Sequence, residues 1–181
     1  FERVTEYLSF YDLTPGNFGS VLTTFDAYQY KCCFFVSYDE IAENANLLRR
    51  AVGAGHSVGI WLKEGTFEEY QKTSDLLFEV SNSMTVLVCA GGDAVTKAIE
   101  MAAEKSLIFW KVTRTYNATA GTSLSDITKK LSETSGSRES LNFKCTEATD
   151  KILKNLFTYL SMKRYSVKRI VETTAPVYID G

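Results

Sequence analysis

The fifteen residues 47-LLRRAVGAGHSVGIW-61 carry the reading on which the fold turns. Their centre, Gly55-His56-Ser57-Val58-Gly59, fits the G-x-S-x-G pattern of a hydrolase nucleophile elbow, which requires a strand before the serine and a helix after it. Here the order is reversed. The segment leading in, "YDEIAENANLLRRAVGAG", places Ile41, Ala45, Leu48, Ala51 and Val52 at helical spacing, whereas "HSVGIWL" reads as a strand. His56 is the chain's sole histidine, and neighbours on a strand point to opposite faces, so it cannot act as base for Ser57. The serine-hydrolase reading is set aside. What remains is a helix delivering the chain through a glycine turn into a buried strand.

That unit repeats along the chain. Strands are expected at "EYLSFYD", "KCCFFVS", "HSVGIWL", "TVLVCA", "LIFWKVT", "SLNFKC" and a terminal "YSVKRIVE". Helices are expected at "NFGSVLTTFDAYQY", "DEIAENANLLRRAVGAG", "TFEEYQKTSDLLFEVSNS", "GDAVTKAIEMAAEK", "LSDITKKLSETSG" and "TEATDKILKNLFTYLSMKR". Seven strands alternating with six helices imply an α/β fold with parallel strands, because each helix returns the chain to start the next strand in the same direction. Such an alternation closes into a barrel or stays open as a doubly wound sheet, and periodicity does not decide between them. In both, chemistry sits at the carboxyl ends of the strands. "AGGDA" at 90–94 comes too late and lacks a third glycine, which weakens a dinucleotide-binding reading.

At 181 residues with 45% hydrophobic side chains, the chain can bury a sizeable core and is expected to form one unit over residues 1–181. A net charge of -2 arises from interspersed Lys, Arg, Asp and Glu, with no basic stripe expected of the sort that neutralises phosphates, so nucleic acid is not an expected partner. No apolar run reaches the ~20 residues of a membrane helix. The chain opens on Phe1 and is expected to be an excised or processed piece. Cys32, Cys33, Cys89 and Cys145 show no CxxC spacing; they read as small buried side chains, with a Cys89–Cys145 disulfide or a metal site as alternatives. Asn117-Ala118-Thr119 fits the glycosylation sequon, a pattern short enough to arise by chance.

The segments "YLSFYDLTPGN", "KCCFFVS" and "LLRRAVGAGHSVGIW" together resemble the polysaccharide deacetylase family, or NodB homology domain, whose members carry "TFDDGP", then "ATFFV", then "GHxIGNHTxxH". The likeness continues more loosely through "LVCAGG" for "RFPGG", "FWKV" for "DWNV" and "SLNFKC" for "LLMHD". The resemblance implies a distorted (β/α) barrel of about seven parallel strands that removes acetyl groups from cell-wall sugars. It implies zinc or another divalent metal held by an aspartate and two histidines, an aspartate base and a histidine acid. The metal polarises the acetyl carbonyl and lowers the pKa of bound water.

Those functional positions carry other residues here. Tyr11 stands at the base position and Asp12 alone keeps a carboxylate for the metal; Trp61 and Gly65 replace the two histidine ligands. A phenol is a poor base at neutral pH, an indole nitrogen only donates, and glycine has no side chain. Val88 and Ala90 replace the arginine and proline of the third motif, Phe109 the aspartate before Trp110, and Lys144 and Cys145 the acid histidine and its aspartate. The resemblance therefore implies a degenerate member with no catalytic residues and no bound cofactor, Asp12 being the one candidate metal ligand. Tyr11, Trp61 and Trp110 are candidates for stacking on a cell-wall glycan, against the alternative that Tyr11, Trp61, Phe109 and Trp110 fill a vacated site. A protein partner is the other option, and the expected location is the bacterial cell envelope or exterior. The competing expectation is a working, metal-dependent carbohydrate deacetylase rebuilt around Asp12, His56 and Glu64; Lys144 either supplies a cation or extends into solvent.

Overall fold

The computed structural model describes residues 4–112, 114–117, 122–132 and 138–177, without the side chains of 130–132. In chain order the elements are β1 (Thr5–Tyr11), α1 (Pro15–Tyr28), β2 (Cys33–Val36), α2 (Tyr38–Ile41), α3 (Ala45–Gly53), β3 (Ser57–Leu62), α4 (Phe67–Ser81) and β4 (Leu87–Ala90). There follow α5 (Val95–Glu104), β5 (Ile108–Phe109), β6 (Arg114–Asn117), α6 (Leu124–Ser132), β7 (Arg138–Lys144), α7 (Thr149–Met162) and β8 (Ser166–Lys168).

All strand pairs are parallel, in the order β5-β4-β3-β2-β1-β7-β6. Strand β1 pairs with β7 along its whole length from Thr5 to Tyr11, so its other edge is shared: β2 takes Ser9 and Phe10, and β8 takes Thr5 to Tyr7. The alternation between barrel and open sheet is decided by Trp110. Its amide donates to the Val88 carbonyl on β4 at 2.8 Å, while its indole Nε1 donates to Ser140 Oγ on β7 at 2.9 Å. Strands β4 and β7 stand four places apart in the sheet, and one side chain spans them only because the sheet curls into an incomplete barrel.

Both faces of the sheet are covered, which is why its strands read as near-continuous apolar runs. Leu8, Phe10, Phe34, Ile60, Val88, Leu141 and Phe143 face the helices, and their alternating neighbours Tyr7, Cys33, Phe35, Cys89 and Trp110 face the barrel interior. Each fully buried Phe contributes roughly 2–3 kcal/mol of transfer free energy. The interior is closed at the strand N-termini by the C-terminal segment, which inserts Ile170 and Val177. Arg138 fastens that segment by donating to the Ala175 carbonyl at 2.8 Å and to the Tyr7 hydroxyl at 3.1 Å.

Several expectations need correction. The main path of the sheet holds seven parallel strands, as expected, but "LIFWKVT" supplies only the two residues of β5, β6 joins the path where no strand was expected, and the expected terminal strand, β8, lies off it beside β1. Strand β6 carries Arg-Thr-Tyr-Asn with a single buried residue, so it lacks the apolar signal of the others. The terminal strand is confined to Ser166–Lys168. The expected helix over 39–55 is two: Asn44, fully buried, donates from Nδ2 to the carbonyls of Glu40 and Leu13, interrupting the helix to tie it to the exit of β1. All four cysteines are free and buried; Cys89 faces the barrel interior and Cys145 the helix layer, so the expected alternative of a disulfide between them is not formed. The sequon lies partly outside the described residues.

Candidate functional site

Strands β1, β2, β3 and β7 end at a shallow cleft of about 190 Å³ lined by Tyr11, Asp12, Ser37, Glu40, Trp61, Lys63 and Lys144. This is smaller than the ~300–1,000 Å³ of ordinary ligand pockets. Much of the volume at the strand ends is taken by two rings: Tyr11 and Trp61 stack with centroids 4.2 Å apart and planes 11° from parallel. The indole is also held from the side of Gly91, where an added Cβ would lie 3.0 Å from Trp61 Cζ2. The two aromatic residues thus spend their contact area on each other and on Gly91. Burial, then the charge of Asp12, pushes the Tyr11 phenol above its ordinary value of 10, further from the range of a neutral-pH base.

Asp12 follows β1 in a left-handed conformation, φ 60°, which Asp tolerates better than most residues. Its Oδ2 faces Lys144 Nζ at 3.7 Å, with the two side chains 52% and 40% exposed. At that exposure the pair contributes little to stability, but it gives the one retained carboxylate an internal cation. Lys63 makes a similar exposed pair with Asp39 at 3.4 Å. Glu40 is committed to the backbone, accepting from Ser37 N and Leu13 N, each at 2.9 Å.

The loop after β3, where the family pattern places its histidines, is organised by a residue the sequence reading passed over. Glu69 is buried in the first turn of α4 and accepts three backbone amides: Lys63 at 2.7 Å, Glu64 at 2.9 Å and Gly65 at 3.0 Å. The signal was present in Thr66-Phe67-Glu68-Glu69, a Thr-x-x-Glu start to a helix, and Thr66 Oγ1 accepts from Glu69 N at 3.1 Å. Gly65 has φ 82°, and a Cβ there would lie 2.9 Å from Ala98 N and 3.0 Å from Ala94 O. Helix α5 therefore occupies the space a side chain at 65 would need.

Three placements differ from expectation. Val88 and Phe109 are register partners on β4 and β5 and face the helix layer, so they do not line the cleft; a one-residue offset exchanges the two faces of a strand, and Cys89 and Trp110 take the interior. Trp110 is buried, with its indole donor spent on Ser140, and offers no face for stacking on a glycan. Asp12, His56 and Glu64 are not brought together. His56 precedes β3, at the end of the strands opposite Asp12, where its Nδ1 accepts from Cys32 N at 3.1 Å. Burial, reinforced by Lys31, lowers its pKa to about 4, so it is a neutral structural imidazole. Glu64 is exposed.

The divalent metal implied by the resemblance does not fit these residues. Among the described residues no three His, Cys, Asp or Glu side chains gather as a ligand set, and the cleft offers Asp12, already faced by a lysine.

Comparison with solved structures matches this architecture to the polysaccharide deacetylase Bc1974 from Bacillus cereus, with TM-score 0.80 and 17% identity over 97% of this chain and 96% of that one. The fold is that of the polysaccharide deacetylases. The catalytic domain of a peptidoglycan N-acetylglucosamine deacetylase from Eubacterium rectale superposes with TM-score 0.81 at 11% identity, covering 99% of this chain and 94% of that one. The deacetylase fold also accommodates BA3943 from Bacillus anthracis, a CE4 family pseudoenzyme, with TM-score 0.75 and 14% identity over 93% of this chain and 64% of that one. No family model matches the chain, and no curated protein matches it.

Proposed function

We propose that this chain is a catalytically inactive homologue of the polysaccharide deacetylases, acting at the cell envelope as a scaffold or glycan-interaction domain. The observation that carries the reading is the Tyr11–Trp61 stack at the strand ends, on the positions where the family pattern has its base and its first histidine ligand. A rate enhancement of that type needs a metal to polarise the carbonyl and a base near neutral pKa. Asp12 with Lys144 beside it supplies neither. Because the indole and phenol faces are turned on each other, glycan contact falls to the rim, where the exposed Asp12, Lys63 and Lys144 offer hydrogen bonds. The envelope setting is supported by the peptidoglycan deacetylase among the structural matches.

Metal analysis paired with acetyl-ester and chitooligosaccharide assays tests the proposal. The expected result is no stoichiometric zinc and no turnover above buffer. Stoichiometric zinc, with turnover abolished by Asp12→Ala, overturns it in favour of a rebuilt deacetylase. Binding on a glycan array that is lost in Lys144→Ala separates a glycan-interaction role from a scaffold role.

A further inference from the structure

The expectation that charges are interspersed along the chain fails at its C-terminal end. Residues 151–171 hold six Lys and Arg and no Asp or Glu, whereas the other fourteen cations share the rest of the chain with all twenty-two carboxylates. Four of the six, Lys163, Arg164, Lys168 and Arg169, fall in "MKRYSVKR", and the fold places them at the N-terminal end of the strands, opposite the cleft. Helix α7 ends at Met162, the chain turns through Lys163 and Arg164, and β8 runs beside the first residues of β1. The next residues leave the sheet and cross beneath β3 and β4, where Arg169 donates to the Gly55 carbonyl at 3.2 Å.

All four cations are exposed, and among the described residues none of them forms an ion pair. Apolar side chains stand among them without cover. Met162 is 78% and Met84 79% exposed, and Met84 shares a cleft of about 290 Å³ with Arg169 and Val171, itself exposed. The one exposed carboxylate in that cleft is Glu172.

We infer that this end of the molecule docks on an anionic lipid bilayer. Cations without an ion-pair partner would alone suit any polyanion, because each gains by releasing or replacing counterions near a negative surface. Exposed methionine and valine side chains between the cations are rewarded only where apolar volume lies immediately behind the negative charge, which is the headgroup boundary of a bilayer. Helices of the described chain are too short or too polar to cross a membrane, so the contact is peripheral. Docking in this orientation turns the cleft with Tyr11, Asp12 and Lys144 away from the lipid. This surface does not depend on what the cleft binds.

The test is co-sedimentation of the full chain with vesicles of phosphatidylcholine alone and of phosphatidylcholine with an equal part of phosphatidylglycerol, at about 0.1 M salt. Binding to the anionic vesicles at least tenfold above the neutral ones is expected, weakening as salt rises. Each cation removed costs about fivefold in partition, so Arg164→Gln with Lys168→Gln lowers it about thirtyfold. Met162→Ser with Met84→Ser also weakens binding, but leaves the salt dependence unchanged. Lys72→Gln, on α4 and paired with the Tyr38 ring, serves as the control and binds as the parent does. Equal partition into neutral and anionic vesicles, or none into either, overturns the proposal. So does unaltered vesicle binding by the double methionine variant together with equally tight binding to soluble polyglutamate, which would assign the patch to a soluble polyanion.

Discussion

Glu6 and Glu139 stand directly opposite each other across β1 and β7, on the face that packs under the helices, and are 0% and 4% exposed. Two carboxyl groups in such a place do not both ionise at neutral pH. Burial, then the charge of Glu139, raises the Glu6 pKa from 4.5 to about 9. Tyr116 from β6 and Tyr165, just before β8, feel the same pair, and burial raises both phenols.

The sign of the resulting pH dependence follows from where the proton is held. The folded chain keeps the Glu6 proton up to about pH 9, whereas the unfolded chain loses it near 4.5. Stability from this group is therefore full below pH 4.5 and is lost as pH rises toward 9, by at most about 1.4 kcal/mol per unit. Urea unfolding between pH 6 and pH 9 should show this decline, and Glu6→Gln should flatten it while leaving the alkaline protein more stable than the parent. A parent whose stability holds level from pH 6 to pH 9 contradicts the assignment.

His56 titrates in the opposite sense. Its folded pKa near 4 lies below the ordinary 6.5, so its contribution is complete above pH 6.5 and disappears as pH falls through 4. His56→Leu removes the acceptor for Cys32 N–H and should cost about 1–3 kcal/mol at pH 7, with a smaller difference from the parent at pH 4. Thermal melts at the two pH values measure it.

Restoring the family histidine at 65 should fail. Gly65→His requires a Cβ at 2.9 Å from Ala98 N and a left-handed backbone under a full side chain, a cost on the order of 2–4 kcal/mol. Isothermal titration with zinc on Trp61→His with Gly65→His should show no tight site, together with a lowered unfolding midpoint. Stoichiometric, tight zinc in that double variant would mean that α5 yields more readily than its packing indicates.

Trp61→Ala removes the stack on Tyr11 and the contact on Gly91. For a half-buried indole this should cost about 2–3 kcal/mol in chemical denaturation, less than a fully buried Trp because the strand end can admit water. A change under about 0.5 kcal/mol would show that the rings are not held together in solution.

The frame of the molecule was legible because a parallel strand covered on both faces leaves an apolar run between glycine and polar turns. "LSFY", "CFFV" and "SVGIWL" each mark such a strand. Strand β6 escaped for the converse reason: at the edge of the curled sheet, Arg114 to Asn117 bury one side chain and need no apolar pattern. The loss of metal ligands at Trp61 and Gly65 could be read from residue type, since neither supplies an electron pair. Which side chains face the cleft could not, because Val88 and Cys89 differ by one position and opposite faces. Nor could the role of Glu69, whose three acceptor contacts depend on how the loop from Lys63 to Gly65 folds back over the start of α4.

The four sealed sulfhydryls make the molecule its own opening gauge. Burial drives their pKa values upward, Cys89 and Cys145 to about 12, so a closed molecule presents no reactive thiolate to an alkylating reagent. Every labelling event counts an excursion that admits solvent. Cys33 and Cys89 look into the barrel while Cys32 and Cys145 lie under the helices, so the order in which they are alkylated tells whether the inner or the outer layer parts first.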